Sequence, residues 1–237
     1  MAEAAIDPAS QRYPVAGKPF VFGVSGHRDP VPADLPELRN QLQRIFQHYR
    51  SGYPTAPFRL LSPLAEGADR IVAEVALHVG IELEVPLPMA LADYERDFES
   101  PESLADFRRL LRAARSQWEV SESAAEERTL SEGTGRAQKY AAVGDYIART
   151  SHVLILLWDG RHNQKVGGTS WVKRRREHWI EAATAKGADA DGFAYGATVH
   201  VLTPRAATED GKTPRPRIEI VGGLPAAPGH PDERSRL

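Results

Sequence analysis

The chain has 237 residues, and its 30 Lys plus Arg nearly balance 32 Asp plus Glu, so no global field draws in nucleic acid or an anionic membrane. Cysteine is absent, which excludes disulfides, thiolate nucleophiles and cysteine-ligated zinc and fits a reducing compartment. The length suits one α/β domain with a full core; no apolar run approaches the roughly 18 residues of a membrane span and the N-terminal segment lacks a signal-peptide pattern, so a cytoplasmic location without a membrane partner is expected.

Residues 1–17, punctuated by Pro8, Pro14 and Gly17, read as a flexible N-terminal segment. Phe20–Ser25 forms the first expected strand, and Gly26-His27-Arg28-Asp29-Pro30 a sharp turn. A helix follows from about Leu35: Asp34 and Glu37 have capping-box spacing, Pro36 lies in the first turn, and Leu38, Leu42, Ile45, Phe46 and Tyr49 recur at helical spacing. The plan then repeats. Phe58–Ser62 reads as a strand, Pro63–Gly67 as a loop, Ala68 to Val79 as a helix closed by Gly80, and Ile81–Val85 as a third strand stopped by Pro86 and Pro88. Strands alternating with helices imply an α/β, Rossmann-like, doubly wound, mostly parallel sheet of about five strands with helices on both faces.

Between residues 91 and 149 the alternation lapses into a helical insert, with Leu104, Phe107, Leu111, Ala114 and Trp118 on one apolar stripe and Ala137, Tyr140, Ala141, Gly144, Ile147 and Ala148 on another. Residues 119–135 are acidic and lack apolar anchors, which suggests a mobile loop or a lid. Val153–Leu157, five apolar residues in a row, has the pattern of a strand covered on both faces. A helix from about Ser170 to Ala185 separates it from the fifth strand, Thr198–Leu202. From residue 204 to 237 the chain is dense in proline, glycine and charge; a largely disordered tail is expected, with Ile218–Val221 as a candidate short edge strand.

In an open parallel sheet, ligands bind beyond the carboxyl ends of the strands. The loops there carry Gly26, His27 and Arg28; Ser62, Glu66, Gly67 and Asp69; Asp159 and Gly160; and Gly167, Gly168 and Thr169. Glycines admit close backbone approach, and Thr169 could cap a helix whose first amides face an anion. Arg28 either grips a phosphate with two parallel hydrogen bonds or pairs with Asp29 or Asp69. His27 either contacts ligand or caps local backbone. Glu66, Asp69 and Asp159 could accept hydrogen bonds from ribose hydroxyls or act as acid or base, whereas the bland reading makes Asp69 a helix-dipole partner and Asp159 a turn residue. Lys173-Arg174-Arg175-Arg176 in the first turns of the following helix opposes its dipole, so a bound anion, carboxylates of the acidic loop, a partner subunit or solvent should compensate. The eight histidines lack metal-ligand spacing, and neither a nucleophile elbow nor a Walker A lysine is present, so no metal and no cofactor is expected.

Gly23-Val24-Ser25-Gly26-His27-Arg28, then Ser62-Pro63-Leu64-Ala65-Glu66-Gly67-Ala68-Asp69-Arg70, then Leu156-Leu157-Trp158-Asp159-Gly160 and Gly167-Gly168-Thr169 together resemble the SLOG superfamily. That group contains the Rossmann-like domains of the DNA-processing protein DprA and of the cytokinin-activating LOG phosphoribohydrolases. The resemblance spans residues 18–203 and implies binding of a nucleotide or nucleotide-derived ligand, in a sensor of the kind found in bacterial defence or in a hydrolase of the base–ribose bond. LOG enzymes carry a Pro-Gly-Gly-x-Gly-Thr-x-x-Glu motif; aligned on Gly168-Thr169, its catalytic glutamate falls on Val172, and Lys165 and Val166 replace the first two glycines. Ligand binding is therefore the leading expectation. Hydrolysis, with Glu66 or Asp159 as the catalytic carboxylate, is the first alternative, and DprA-like single-stranded DNA binding, which the balanced charge argues against, is the second. The LOG resemblance also implies a homodimer.

Overall fold

The computed structural model describes residues 18–120, 135–163, 165–185, 196–206 and 217–221. The strands are β1 (Phe20–Gly26), β2 (Phe58–Leu61), β3 (Glu82–Leu87), β4 (Ser116–Glu119), β5 (Val153–Trp158), β6 (Thr198–Leu202) and β7 (Arg217–Val221). They form one sheet in the order β4-β3-β2-β1-β5-β6-β7. All neighbours are parallel except β6 and β7, which run antiparallel. The helices are α1 (Leu35–Gly52), α2 (Ala68–His78), a single turn α3 (Leu91–Tyr94), α4 (Pro101–Ala113), α5 (Arg136–Thr150) and α6 (Thr169–Ala185). Two apolar cores, one on each face of the sheet, make the protein a Rossmann-like α/β structure.

The period-two alternation of the central strands assigns their side chains to these cores. From β5, Val153, Ile155 and Leu157 join Phe20, Phe22 and Val24 of β1 in the first core, under α1, α2 and α4. Leu154, Leu156 and Trp158 enter the second core, under α5 and α6. Every residue of β5 is buried, as its unbroken apolar run predicts. On α1 the helical stripe Leu38, Leu42, Ile45, Phe46 and Tyr49 is buried as well. Phe22 meets Phe46 edge-on at 5.0 Å. Each such ring removed from water contributes roughly 2 kcal/mol.

Three local expectations are corrected. Asp34 precedes α1 but makes no side-chain cap; a 3-10 turn, Pro32–Asp34, leads into the helix instead. β3 does not stop at Pro86 but runs through it, with Pro86 opposite Trp118. The carbonyls of Leu83 and Leu87 face the β4 side and that of Glu84 the β2 side, so the missing N–H of Pro86 points where β2 has already ended, and no ladder bond is lost. The stripe read as 104–118 is broken at Ala113: α4 ends there, and Trp118 lies on β4 with its ring 6.0 Å from Tyr146 in the second core. The candidate edge strand at Ile218–Val221 is present as β7, which pairs with β6 along Thr198–Leu202. The expected flexible segment at 1–17, most of the acidic 119–135 loop and the end of the tail lie outside the described residues.

A second pairing involves the segment after β6. Pro30 and Arg205 form an antiparallel bridge, Val31 N–H donates to Pro204 O at 3.3 Å and Ala206 N–H to Asp29 O at 2.9 Å. Arg205 Nε also reaches both oxygens of Asp29, at 2.9 and 3.2 Å. The turn after β1 is thus held at its far side by main chain.

His152, just before β5, accepts the Val21 N–H at Nδ1 over 2.8 Å, with its ring 5.5 Å from Phe20. Burial, and then the Arg176 charge, hold this imidazole down to about 4. The unfolded chain takes up a proton here near pH 6.5 and the folded chain only near 4. The contribution is therefore complete above about pH 6.5 and is lost as pH falls through that window. The gap corresponds to at most about 3 kcal/mol. In urea titrations at pH 7 and pH 4.5, His152→Gln is expected to lose about 2 kcal/mol less on acidification than the wild type; equal losses would contradict the assignment.

Candidate functional site

The chain runs from β1 through β2 and β3 to β4 on one side of the sheet, then returns to place β5 against the other side of β1. The order therefore reverses between β1 and β5, and the crevice beyond their carboxyl ends is where a ligand fits in this architecture. Gly26 stands opposite Leu157, and His27 N–H donates to Leu157 O at 2.9 Å. Ser25 Oγ, at the end of β1, lies 3.4 Å from Thr169 Oγ1. Hence β1, β5 and the start of α6 share one mouth.

The glycines at this mouth have distinct duties. A Cβ on Gly26 would lie 2.3 Å from Ala68 Cβ and 2.8 Å from Leu157 O, so it serves the close approach of β1, α2 and β5 rather than a reversal. Gly67 has φ +77°, and a Cβ there would come within 2.3 Å of Arg28 O, so the β2–α2 turn runs directly against the turn after β1. Ala68 N–H donates to His27 O at 2.9 Å across the same junction. Gly160 opens the loop after β5, packed near Leu202 and His200, and Gly167 packs on Tyr140 and Ala141. Thr169, expected as a cap, is instead the first residue within α6, because Val172 N–H already bonds to Gly168 O at 2.9 Å.

Arg28 is exposed at the mouth. Asp69 lies beneath it, 5% exposed. Burial raises the Asp69 carboxyl to about 7, opposed by the Arg28 charge, by amide hydrogen bonds from Ala65 and Gly26 and by Arg70. This carboxyl can gain or lose a proton near neutrality. Its stability contribution has the opposite sign to that of His152: present at low pH and lost as pH rises from the ordinary carboxylate range through about 7. Arg28 does not pair with Asp29, whose carboxylate is held by Arg205.

Glu66 accepts a hydrogen bond from Ser103 Oγ at the start of α4. Arg70 binds the same serine, with Nη1 3.0 Å from its hydroxyl and 2.8 Å from its carbonyl, while its Nε reaches Leu64 O at 3.0 Å. Leu64 is held at φ +58° in this turn. Glu66 also lies within electrostatic reach of both Arg28 and Arg70. Ser62 is fully buried; its hydroxyl donates to Asp69 O and accepts the Leu64 N–H, each at 3.2 Å. His27 and Asp159 lock onto each other, with side chains 10% and 7% exposed. Burial lowers the His27 imidazole although Asp159 opposes the shift. The neutral ring accepts the Asp159 N–H at Nε2 over 3.0 Å; the carboxylate, 3.2 Å from the same nitrogen, becomes an ion-pair partner only on protonation. Asp159 Oδ1 also accepts the Arg161 N–H at 3.0 Å, the turn-stabilising arrangement.

Among the described residues, the cations at the start of α6 find partners within the chain. Arg175 pairs with the buried Asp145 of α5 at 2.5 Å. Arg176, wholly buried, donates to the carbonyls of Ala148, Ser151, His152 and Gly196 at 2.6 to 3.2 Å. Lys173 pairs with Glu177, and Arg174 reaches Ser170 Oγ at 3.2 Å and Asn163 O at 3.3 Å.

Sequence reasoning missed the far wall of the mouth. Tyr140 on α5 donates to Asp97, and the Arg28 guanidinium carbon lies 5.8 Å from the Tyr140 ring centre. Tyr94 OH donates to Pro63 O at 3.0 Å. Tyr140 sits on an apolar helical stripe, so its periodicity signals core and conceals its hydroxyl. Among the described residues no group of three or more His, Asp or Glu is placed to hold a metal, and no helix is long and apolar enough to cross a membrane.

Fold and mouth together define a Rossmann-like α/β protein with polar loop residues gathered at the reversal point of its sheet. Two solved structures are similar to it. DNA processing protein A (DprA) from Streptococcus pneumoniae shares 16% identity at a TM-score of 0.43, over 74% of this chain and 53% of that one. DNA processing protein A from Helicobacter pylori, described for its single-stranded DNA binding mode, shares 15% identity at a TM-score of 0.42, over 73% and 75%. The chain thus spans about half the length of the Streptococcus protein. No protein-family model and no curated protein sequence matches it.

Proposed function

We propose that the chain binds a nucleotide or nucleotide-derived molecule in the crevice beyond β1 and β5, as a ligand-binding module of SLOG type. The observation that carries this reading is the exposed Arg28 on the turn after β1, at the reversal point of the sheet, where the hydroxyls of Ser25 and Thr169 also meet. Guanidinium and hydroxyl donors fit a phosphate, and the first amides of α6 add to the same field.

Binding is favoured over hydrolysis because the carboxylates are engaged. Glu66 is held by Ser103, and the Asp159 carboxylate accepts the Arg161 backbone amide. Val172, at the position of the LOG glutamate, is 2% exposed and packs where a Cβ on Gly144 would meet it at 2.7 Å.

The test is a thermal-shift screen against nucleoside mono-, di- and triphosphates, ADP-ribose, cyclic nucleotides and a single-stranded oligonucleotide. One nucleotide class should raise the melting temperature, and Arg28→Ala should weaken its binding at least tenfold, the scale of a charged hydrogen bond of about 1.5–3 kcal/mol. Release of free base, lost in Glu66→Gln, would establish the glycosidase instead. Retention of the oligonucleotide alone, falling steeply with salt, would establish strand binding.

A further inference from the structure

We propose that Tyr140 is the positioning residue for Arg28, and that through it the segment carrying Asp97 and α5 forms part of the ligand site; the ligand half of this inference rests on the nucleotide reading above. An exposed arginine on a turn samples many rotamers, and each must be given up when it grips an anion. Here the guanidinium is already held. Its carbon stands 5.8 Å from the Tyr140 ring centre, within electrostatic reach of the phenol oxygen.

Tyr140 is itself fixed from three sides. Its hydroxyl donates to Asp97, which also takes Arg136, and Arg136 reaches the Asp93 carbonyl at 2.9 Å. The Tyr94 ring meets it edge-on at 6.2 Å. On the other side the glycine turn before α6 packs against it: a Cβ on Gly167 would lie 3.0 Å from Tyr140 Cβ and from Ala141 N. One side chain therefore touches both the cation after β1 and the turn entering α6.

The choice of a phenol matters. A carboxylate beside Arg28 would orient it but cancel its charge. Burial, and then the hydrogen bond to Asp97, push the Tyr140 phenol up to about 12, so it keeps its proton, donates a hydrogen bond to Asp97 and presents an uncharged oxygen to Arg28. The guanidinium is oriented with its charge intact. This suits a phosphate group and gives no advantage to an unphosphorylated nucleoside.

The experiment compares wild type, Tyr140→Phe, Asp97→Asn and Arg28→Ala. In nitrogen-15 spectra, Arg28 should give a distinct Nε–H signal, assigned by its absence from Arg28→Lys, which in Tyr140→Phe and Asp97→Asn collapses toward the exchange-averaged arginines while the melting temperature moves by no more than about 2 °C. By calorimetry, Tyr140→Phe should weaken binding of the most tightly bound nucleotide five- to tenfold and leave the matching nucleoside unchanged. It should add nothing in the Arg28→Ala background, because the two residues act as one unit. An unchanged Arg28 signal overturns the proposal, and so does equal weakening of nucleoside and nucleotide. Should the wild type bind no nucleotide, the reading of the preceding subsection fails, and the Nε–H signal alone upholds or overturns the Arg28–Tyr140 link.

Discussion

Arg176→Met is expected to remove about 4 kcal/mol of stability, since four carbonyls lose a charged donor and an unsatisfied buried group costs about 1–3 kcal/mol. Methionine keeps the unbranched stem but stops short of the guanidinium, so the loss combines the missing hydrogen bonds with the space left behind. The carbonyls belong to the end of α5, the approach to β5 and the residue leading into β6, and one guanidinium fork serves all of them. Arg176→Lys should recover only part of the loss, because a single ammonium cannot reach four acceptors in that geometry. Urea titration at pH 7 reads both values. A loss below about 1 kcal/mol for methionine would show that water or relaxed backbone takes over these carbonyls.

Gly67→Ala is the second substitution with a large effect, and its control lies in the same chain. Gly67 and Gly80 share a positive φ, +77° and +79°, and Gly67 adds ψ −119°, a combination essentially confined to glycine. A Cβ on Gly80 meets nothing closer than Arg50 Nη1 at 3.8 Å, whereas one on Gly67 meets the Arg28 carbonyl oxygen at 2.3 Å and its carbon at 2.5 Å. Gly80→Ala should therefore cost only the left-handed strain, about 1–2 kcal/mol. Gly67→Ala adds a backbone collision that neither turn can escape cheaply, and a total of about 3–4 kcal/mol is expected. Because the displaced atoms are those of Arg28, nucleotide binding should fall with it. Equal destabilisation of the two variants in urea would mean that the turns separate freely.

The fold was legible wherever one periodicity ran long enough to be unambiguous. The five-residue apolar run of β5, the stripe on α1 and the alternation of three strands with two helices all have one solution. β4 escaped because it has only four residues, mostly exposed, and because Trp118 falls seven positions after Leu111, two helical turns on by coincidence. Pro86 misled for a different reason. A proline breaks a ladder only if a neighbour waits for its N–H, and the length of β2 is not written in β3.

The strand-end rule brought Gly26, His27, Arg28, Gly67, Asp69, Asp159 and Thr169 to one mouth, but not their partners. Which carboxylate faces which cation depends on helix rotation and on residues far along the chain. Asp145 lies 30 positions before Arg175, and Asp97 lies 43 before Tyr140. The tetrad Lys173–Arg176 looked like uncompensated charge at a helix start because backbone carbonyls, which carry half of its compensation, leave no mark in the sequence.

The main-chain pairing of Asp29–Val31 with Pro204–Ala206 turns the β1 turn from a cantilever into a beam supported at both ends. One support is the β1 strand itself, and the other is the segment between β6 and β7. A force applied at Arg28 is then shared with the antiparallel edge of the sheet through hydrogen-bonded backbone, which is stiff, rather than through rotatable side chains. The segment that follows β6, remote from the mouth in sequence, helps to set how far the turn that carries Arg28 can bend.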